Sequence, residues 1–251
     1  MGARGAWVAC LVACLVGCGD LTDATGDQGR LKFTLATDYE VDGALDEVNV
    51  VAGHPQTLSV DLTAKGEDDI PEPDELTYRI EPSVGTSISG VGGIGDQPPD
   101  LELLVTQPGR YKIRAISKGK EVDSLSLSFD TSSALELVVK ARAPFQSDFV
   151  DVSDDEVSKV DEGTQVAFLP IPLDDKGERL AGRIETSAVA DPSNRVVPGS
   201  DINGVYEQNV WTGSGKIEFY FIDPGTVTVT VTDVVTKAKG AHSFDVQNVG
   251  E

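Results

Sequence analysis

Beyond position 18 the 251-residue chain has no cysteine, its three thiols being Cys10, Cys14 and Cys18. That absence excludes a disulfide framework, a Cys-ligated zinc and a cysteine nucleophile from the bulk of the protein. Histidine is nearly as scarce. Only His54 and His242 are present, which leaves little material for imidazole acid–base catalysis or a histidine metal site. His54 precedes Pro55 at a strand entrance and His242 lies on an alternating strand. A shared site would need the two halves of the chain folded against each other, and surface or partly buried packing is the expected role of each. Basic residues number 20 against 42 acidic ones, for a formal net charge of −22. Such a surface argues against nucleic acid, whose phosphates call for Lys and Arg, and against docking of the body on anionic lipid head groups. No apolar run reaches the roughly 20 residues that span a bilayer. Long helical periodicity is missing too, and only Ser153-Asp154-Asp155-Glu156 reads as a capping box, expected to open a turn or two of helix.

What is present begins at the amino terminus. One positive charge, Arg4, precedes an apolar run from Ala6 to Val16, the order of a secretory signal peptide. The run ends in Leu15-Val16-Gly17-Cys18, which resembles the lipobox of bacterial lipoproteins. The resemblance implies a signal peptide over residues 1–17, diacylglyceryl transfer to Cys18, cleavage before it and acylation of the new amino terminus. Leu11-Val12-Ala13-Cys14 also fits the motif, but cleavage there would truncate the apolar run and leave a greasy stretch on the mature end. More than one acyl chain makes anchoring effectively stable. Membrane attachment through Cys18 is thus the one partner expected, with any protein partner unknown. Gly19 rather than aspartate follows the cysteine, which under the family's sorting rule favours the outer membrane of a Gram-negative envelope. Residues 18–29 contain little to bury and read as a flexible tether reaching about 40 Å when stretched.

From Leu31 the dominant signal is period two. Leu31, Phe33 and Leu35 alternate with polar residues, as do Leu58, Val60 and Leu62, then Leu76, Tyr78 and Ile80, and later Leu125, Leu127 and Phe129. Each triplet marks one buried face of a strand. The second half repeats the plan with Leu135, Leu137 and Val139, then Val166 and Phe168, Ile217, Phe219 and Phe221, and Val227, Val229 and Val231. Landmarks recur in order: Gly53 with Gly163, Lys65-Gly66-Glu67 with Lys176-Gly177-Glu178, Pro108-Gly109 with Pro224-Gly225. Collinear landmarks imply two copies of one module, over 30–131 and 132–251.

Pro108-Gly109-Arg110-Tyr111-Lys112-Ile113 resembles the entry to strand F of immunoglobulin-like domains, and Asp174-Asp175-Lys176-Gly177 resembles the acidic-glycine turn between strands B and C of bacterial Ig-like modules. The resemblance implies an all-β chain of two tandem Ig-like antiparallel β-sandwiches. Val227 stands where the second copy would carry the tyrosine, and neither copy has the core disulfide or strand-C tryptophan of antibody domains.

No stretch supplies a catalytic constellation. Gly90-Val91-Gly92-Gly93-Ile94-Gly95 matches a dinucleotide fingerprint literally, but Asp96-Gln97-Pro98-Pro99 follows where a helix must open, so an inter-strand loop is expected. Gly213-Ser214-Gly215-Lys216 lacks the spacing of a phosphate loop. The acidic loops around Glu67–Glu75 and Asp151–Glu162 lack the ligand spacing of calcium sites and read as solvated. Trp211 and Tyr206 could stack on a sugar if exposed, but core packing is expected. The sequence therefore points to a non-enzymatic cell-envelope lipoprotein with no catalytic residue, metal or cofactor, acting as a structural or protein-interaction module. The alternative from another class is an accessory carbohydrate-binding or calcium-dependent adhesion protein.

Overall fold

The computed structural model describes residues 21–199 and 204–248; Cys18 and its motif lie outside them. The first half forms β1 (Leu21–Thr25), β2 (Leu31–Ala36), β3 (Asn49–Val51), β4 (Gln56–Leu62), a short helix α1 (Ala64–Asp69), β5 (Thr77–Glu81), β6 (Thr86–Val91), β7 (Asp100–Val105), β8 (Gly109–Ser117) and β9 (Lys120–Asp130). One sheet runs β1-β2-β4-β7-β6 and the facing one β3-β9-β8-β5. After Asp130 the chain passes into a second pair of sheets built from β10 (Ala134–Arg142), β11 (Val150–Asp151), β12 (Val157–Asp161), β13 (Gln165–Leu173), β14 (Glu185–Asp191), β15 (Val196–Pro198), β16 (Gly204–Glu207), β17 (Val210–Ser214), β18 (Ile217–Phe221), β19 (Gly225–Asp233) and β20 (Lys239–Gln247). Their orders are β11-β10-β13-β18-β15 and β12-β20-β19-β14-β17-β16.

The two halves share one plan. β2-β4-β7-β6 corresponds to β10-β13-β18-β15, and β3-β9-β8-β5 to β12-β20-β19-β14. In both, a short strand lies parallel to the last one, β3 on β9 and β12 on β20. These are the A-B-E-D and A′-G-F-C sheets of an immunoglobulin-like sandwich. The first copy adds β1 at an edge, and the second adds β11 and the β16–β17 hairpin.

Alternation explains the cores. Leu31, Phe33, Leu35, Leu58, Leu101 and Ile113 are sealed between the first pair of sheets, each contributing roughly 1.5–3 kcal/mol by burial. The second core is aromatic, with Phe168 edge-on to Phe244 at 5.9 Å and Phe221 against Phe244 at 4.9 Å. Gly53 and Gly163 turn their chains into β4 and β13 with φ of +91° and +85°. Their amides donate to Val105 and Phe221 at 2.7 and 2.8 Å, equivalent carbonyls in the two copies. The left-handed backbone explains why glycine recurs there. At the entry to β8 the Tyr111 hydroxyl donates to the Gln107 carbonyl at 3.1 Å, the tyrosine-corner contact of Ig-like domains.

Three local expectations are overturned. Residues 18–29, read as a tether, include β1, which pairs along its length with β2 from Leu21↔Ala36 to Thr25↔Lys32. The hairpin is held by a charge buried in the sandwich. Asp123, fully buried, accepts the amides of Gln28 and Ser124 on one oxygen and those of Arg30 and Leu31 on the other, all at 2.8 Å. Little apolar surface is needed when a carboxylate gathers the turn's orphan amides. Second, Lys65-Gly66-Glu67 lies in α1, capped by Thr63 Oγ1 accepting from Gly66 N–H at 3.2 Å, whereas Lys176-Gly177-Glu178 is a turn closed by Asp174. The position after the second core strand is common; its local structure is not. Third, Ser153-Asp154-Asp155-Glu156 opens no helix. The Ser153 hydroxyl contacts Asp151 at 2.6 Å and Ser153 Oγ accepts the Val139 amide at 2.8 Å, so β10 claims the would-be cap.

Candidate functional site at the junction of the sandwiches

The segment between β13 and β14 leaves the second sandwich and lies along the first. Ala181 donates to the Asn49 carbonyl at 2.8 Å and accepts the Val51 amide at 2.9 Å, extending β3 by one parallel bridge. Cores are exchanged at this point. Val51 packs into the second hydrophobic cluster and Ala181 into the first.

Polar side chains complete the seam. The Gln56 carboxamide is matched to the backbone of a single residue, its oxygen accepting Arg183 N–H and its nitrogen donating to Arg183 O, both at 2.9 Å. The buried Tyr39 hydroxyl lies 2.6 Å from Leu180 O and 2.8 Å from Gly182 O. Burial, aided by the nearby Asp38 charge and opposed by Arg179, pushes that phenol well above its ordinary range. Outside the seal, Arg183 pairs with Asp38 at 3.3 Å.

His54 and Asp233 occupy the centre, 3 % and 0 % exposed, with Nε2 to Oδ1 at 3.0 Å. His54 Nδ1 accepts the Glu185 amide at 3.2 Å, so the hydrogen-bond pattern assigns the ring proton to Nε2, donated to the carboxylate. Burial alone would raise the Asp233 carboxyl. His54 and the amides of Thr236 and Val235, the latter at 2.7 Å, outweigh it and hold the group below the usual carboxylate range. Ser214 lines an open groove of about 320 Å³ with His54, Pro55, Arg183, Ile184, Glu185 and Gly213. Serine, histidine and aspartate are thus gathered without forming a nucleophilic relay. Both imidazole nitrogens are committed, one to the carboxylate and one to a backbone amide, so neither can take a proton from a hydroxyl. The arrangement locks two domains together.

The other residues singled out from sequence lie apart. His242 contacts Ser158 Oγ at 2.8 Å inside the second sandwich, where burial lowers its pKa against a weaker opposing charge from Asp155. Trp211 is buried there, with Tyr206 half-buried on the neighbouring strand. Gly92, Gly93 and Gly95 turn the β6–β7 connection with positive φ, leaving Ile94 exposed. In the acidic loops Asp69 pairs with Arg30 and Glu72 with Lys118, and among the described residues no group of three or more His, Cys, Asp or Glu is placed to hold a metal.

The junction partners of His54 were missed by motif reading, yet a signal existed. Asp233 continues the inward parity of Val227, Val229 and Val231, and Gln56 that of Leu58 and Val60. A polar residue on a buried face demands a partner.

No protein-family model matches the chain, and no curated protein matches it. Among solved structures, domains 5–6 of the S-layer protein SbsC are 16 % identical over 85 % of this chain and 98 % of that one, with a TM-score of 0.33. The Escherichia coli adhesin FdeC is 16 % identical over 87 % and 74 %, at 0.30. A β-glycosidase from Bacteroides vulgatus is 14 % identical over 77 % of this chain and 22 % of the enzyme, at 0.32. Overlaps of this size carry no argument about function.

Proposed function

We propose that the chain is a non-enzymatic cell-envelope lipoprotein, anchored in the outer membrane through Cys18, whose two Ig-like sandwiches act as one rigid structural or protein-interaction module. The observation that carries the reading is the junction. A functional dyad leaves a ring nitrogen free for a substrate, whereas His54 spends both nitrogens on Asp233 and Glu185. Gln56 and Tyr39 spend their polar groups across the same seam. Buried hydrogen bonds made across domains favour one relative orientation, which suits a spacer or a platform for a partner. The lipobox supplies the address.

Cell fractionation combined with in-cell crosslinking and mass spectrometry tests this. Wild type is expected in the membrane fraction with Cys18 acylated and crosslinked to a recurrent envelope protein. Cys18→Ala is expected to be soluble, to keep its fold and to lose those crosslinks. Turnover of a glycoside by the purified domains, or an unmodified amino terminus in the membrane fraction, would overturn the reading.

A further inference from the structure

The place where the anchor leaves the body follows from β1. Leu21 pairs with Ala36. Two residues past Ala36, Asp38 already pairs with Arg183 of the second sandwich, and Tyr39 reaches Leu180 and Gly182. β1 therefore starts beside the junction and runs away from it, towards the far end of the first sandwich, where Asp123 gathers the hairpin. Cys18 precedes Leu21 by three residues, a span of at most about 10 Å. A chain lipidated there is attached at its waist by a short strap.

We infer that the protein lies side-on to the membrane, with the waist around Leu21 and residues 40–47 against the lipid surface and the sandwiches extending to either side. The inference rests on the proposed acylation of Cys18. Covalent reach enforces the contact. Leu21 is 68 % exposed at the strand start, and the loop covering β1, bonded to it through Thr22 Oγ1 to Gly43 O and Leu45 N–H to Asp23 O, presents exposed Glu40, Asp42, Asp46 and Glu47. That acidic collar fits a zwitterionic surface whose outermost group is an ammonium, such as phosphatidylethanolamine, and would be repelled by anionic lipid. The far ends stand clear of the strap: α1 caps one, and the loop after β10 caps the other, nine residues or about 30 Å from the junction.

The scarcity of thiols makes the test clean. Full-length protein carrying Asp42→Cys, Asp68→Cys or Gln146→Cys is spin-labelled in phosphatidylethanolamine vesicles doped with a nickel-chelating lipid, and acylation of Cys18 is confirmed by mass spectrometry on the same sample. The label at 42 is expected to relax most strongly, with those at 68 and 146 weaker and comparable. Twelve Gly/Ser residues inserted after Gly19 are expected to abolish the advantage of position 42. Acylated protein in which 68 or 146 responds more than 42, or in which the insertion changes nothing, would overturn the side-on placement. An unacylated Cys18 would instead overturn the anchor on which it rests.

Discussion

Where β8 enters the first sandwich, Tyr111 fixes the corner with its hydroxyl and meets Phe129 edge-on at 5.6 Å; where β19 enters the second, Val227 does neither and is simply buried. The second copy packs four phenylalanines where the first relies largely on leucine. Yet Gly53 and Gly163 make the same turn and the same bond to the same strand. The contrast teaches that the plan resides in backbone conformation and strand order, while each core fills its volume in its own way. It also separates ornaments from plan. The Asp123-bound hairpin belongs to the first copy alone, and the Trp211 hairpin to the second.

The strongest way to break the comparison is at Asp123. Asp123→Ala leaves the amides of Gln28, Arg30, Leu31 and Ser124 without their acceptor and is expected to cost about 3–5 kcal/mol in urea unfolding. Hydrogen exchange should rise in β1 and β2 before the second sandwich responds. A cost under about 1 kcal/mol would mean the hairpin is held by something else.

Next comes the seam. His54→Ala leaves the buried Asp233 carboxylate with only backbone donors, an expected loss of about 3 kcal/mol. A double-mutant cycle with Asp233→Ala should show coupling between residues of different sandwiches of at least about 1 kcal/mol, and simple additivity would refute the lock.

Alanine at the matched glycines sharpens the parallel. Both positions are left-handed, so each substitution carries a backbone penalty of about 1–2 kcal/mol. At Gly53 a Cβ would also meet Val235 Cγ1 at 2.8 Å, against 3.1 Å to Pro144 Cγ at Gly163. Gly53→Ala should therefore be the costlier of the two in paired thermal melts.

The smallest effect is the pH dependence of the second sandwich. Burial lowers the His242 pKa below its ordinary 6.5, so below that pH the unfolded chain binds more protons than the folded one. Stability from this group is then complete above about pH 6.5 and declines as the pH falls towards the folded value. His242→Gln should flatten that part of a stability profile measured between neutral and mildly acidic pH. An unchanged slope would assign it elsewhere.

Much of this was legible in the sequence. Period-two runs located most strands, and the recurring glycines pointed to duplication, because a left-handed turn tolerates few substitutes. The hairpin at residues 21–36 was not legible, since its stabilising group, Asp123, lies about a hundred residues away and looks like one more surface carboxylate. Nor was α1, a single capped turn in an acidic stretch. The seam was half legible: Gln56 shares the parity of the buried Leu58 and Val60, and Asp233 that of Val227, Val229 and Val231, but only the folded arrangement reveals that both acquire partners across domains. Position 18 lies outside the described residues and stands on its motif alone.

Whether the buried polar seam makes two Ig-like copies one rigid body can be read from the distance between their far ends. An unlipidated chain starting at Gly19 has no thiol, so labels at Asp68→Cys and Gln146→Cys report a single spin–spin distance. One narrow distribution is expected, broadening when His54→Ala and Gln56→Ala are added together. A broad distribution with the seam intact would contradict it.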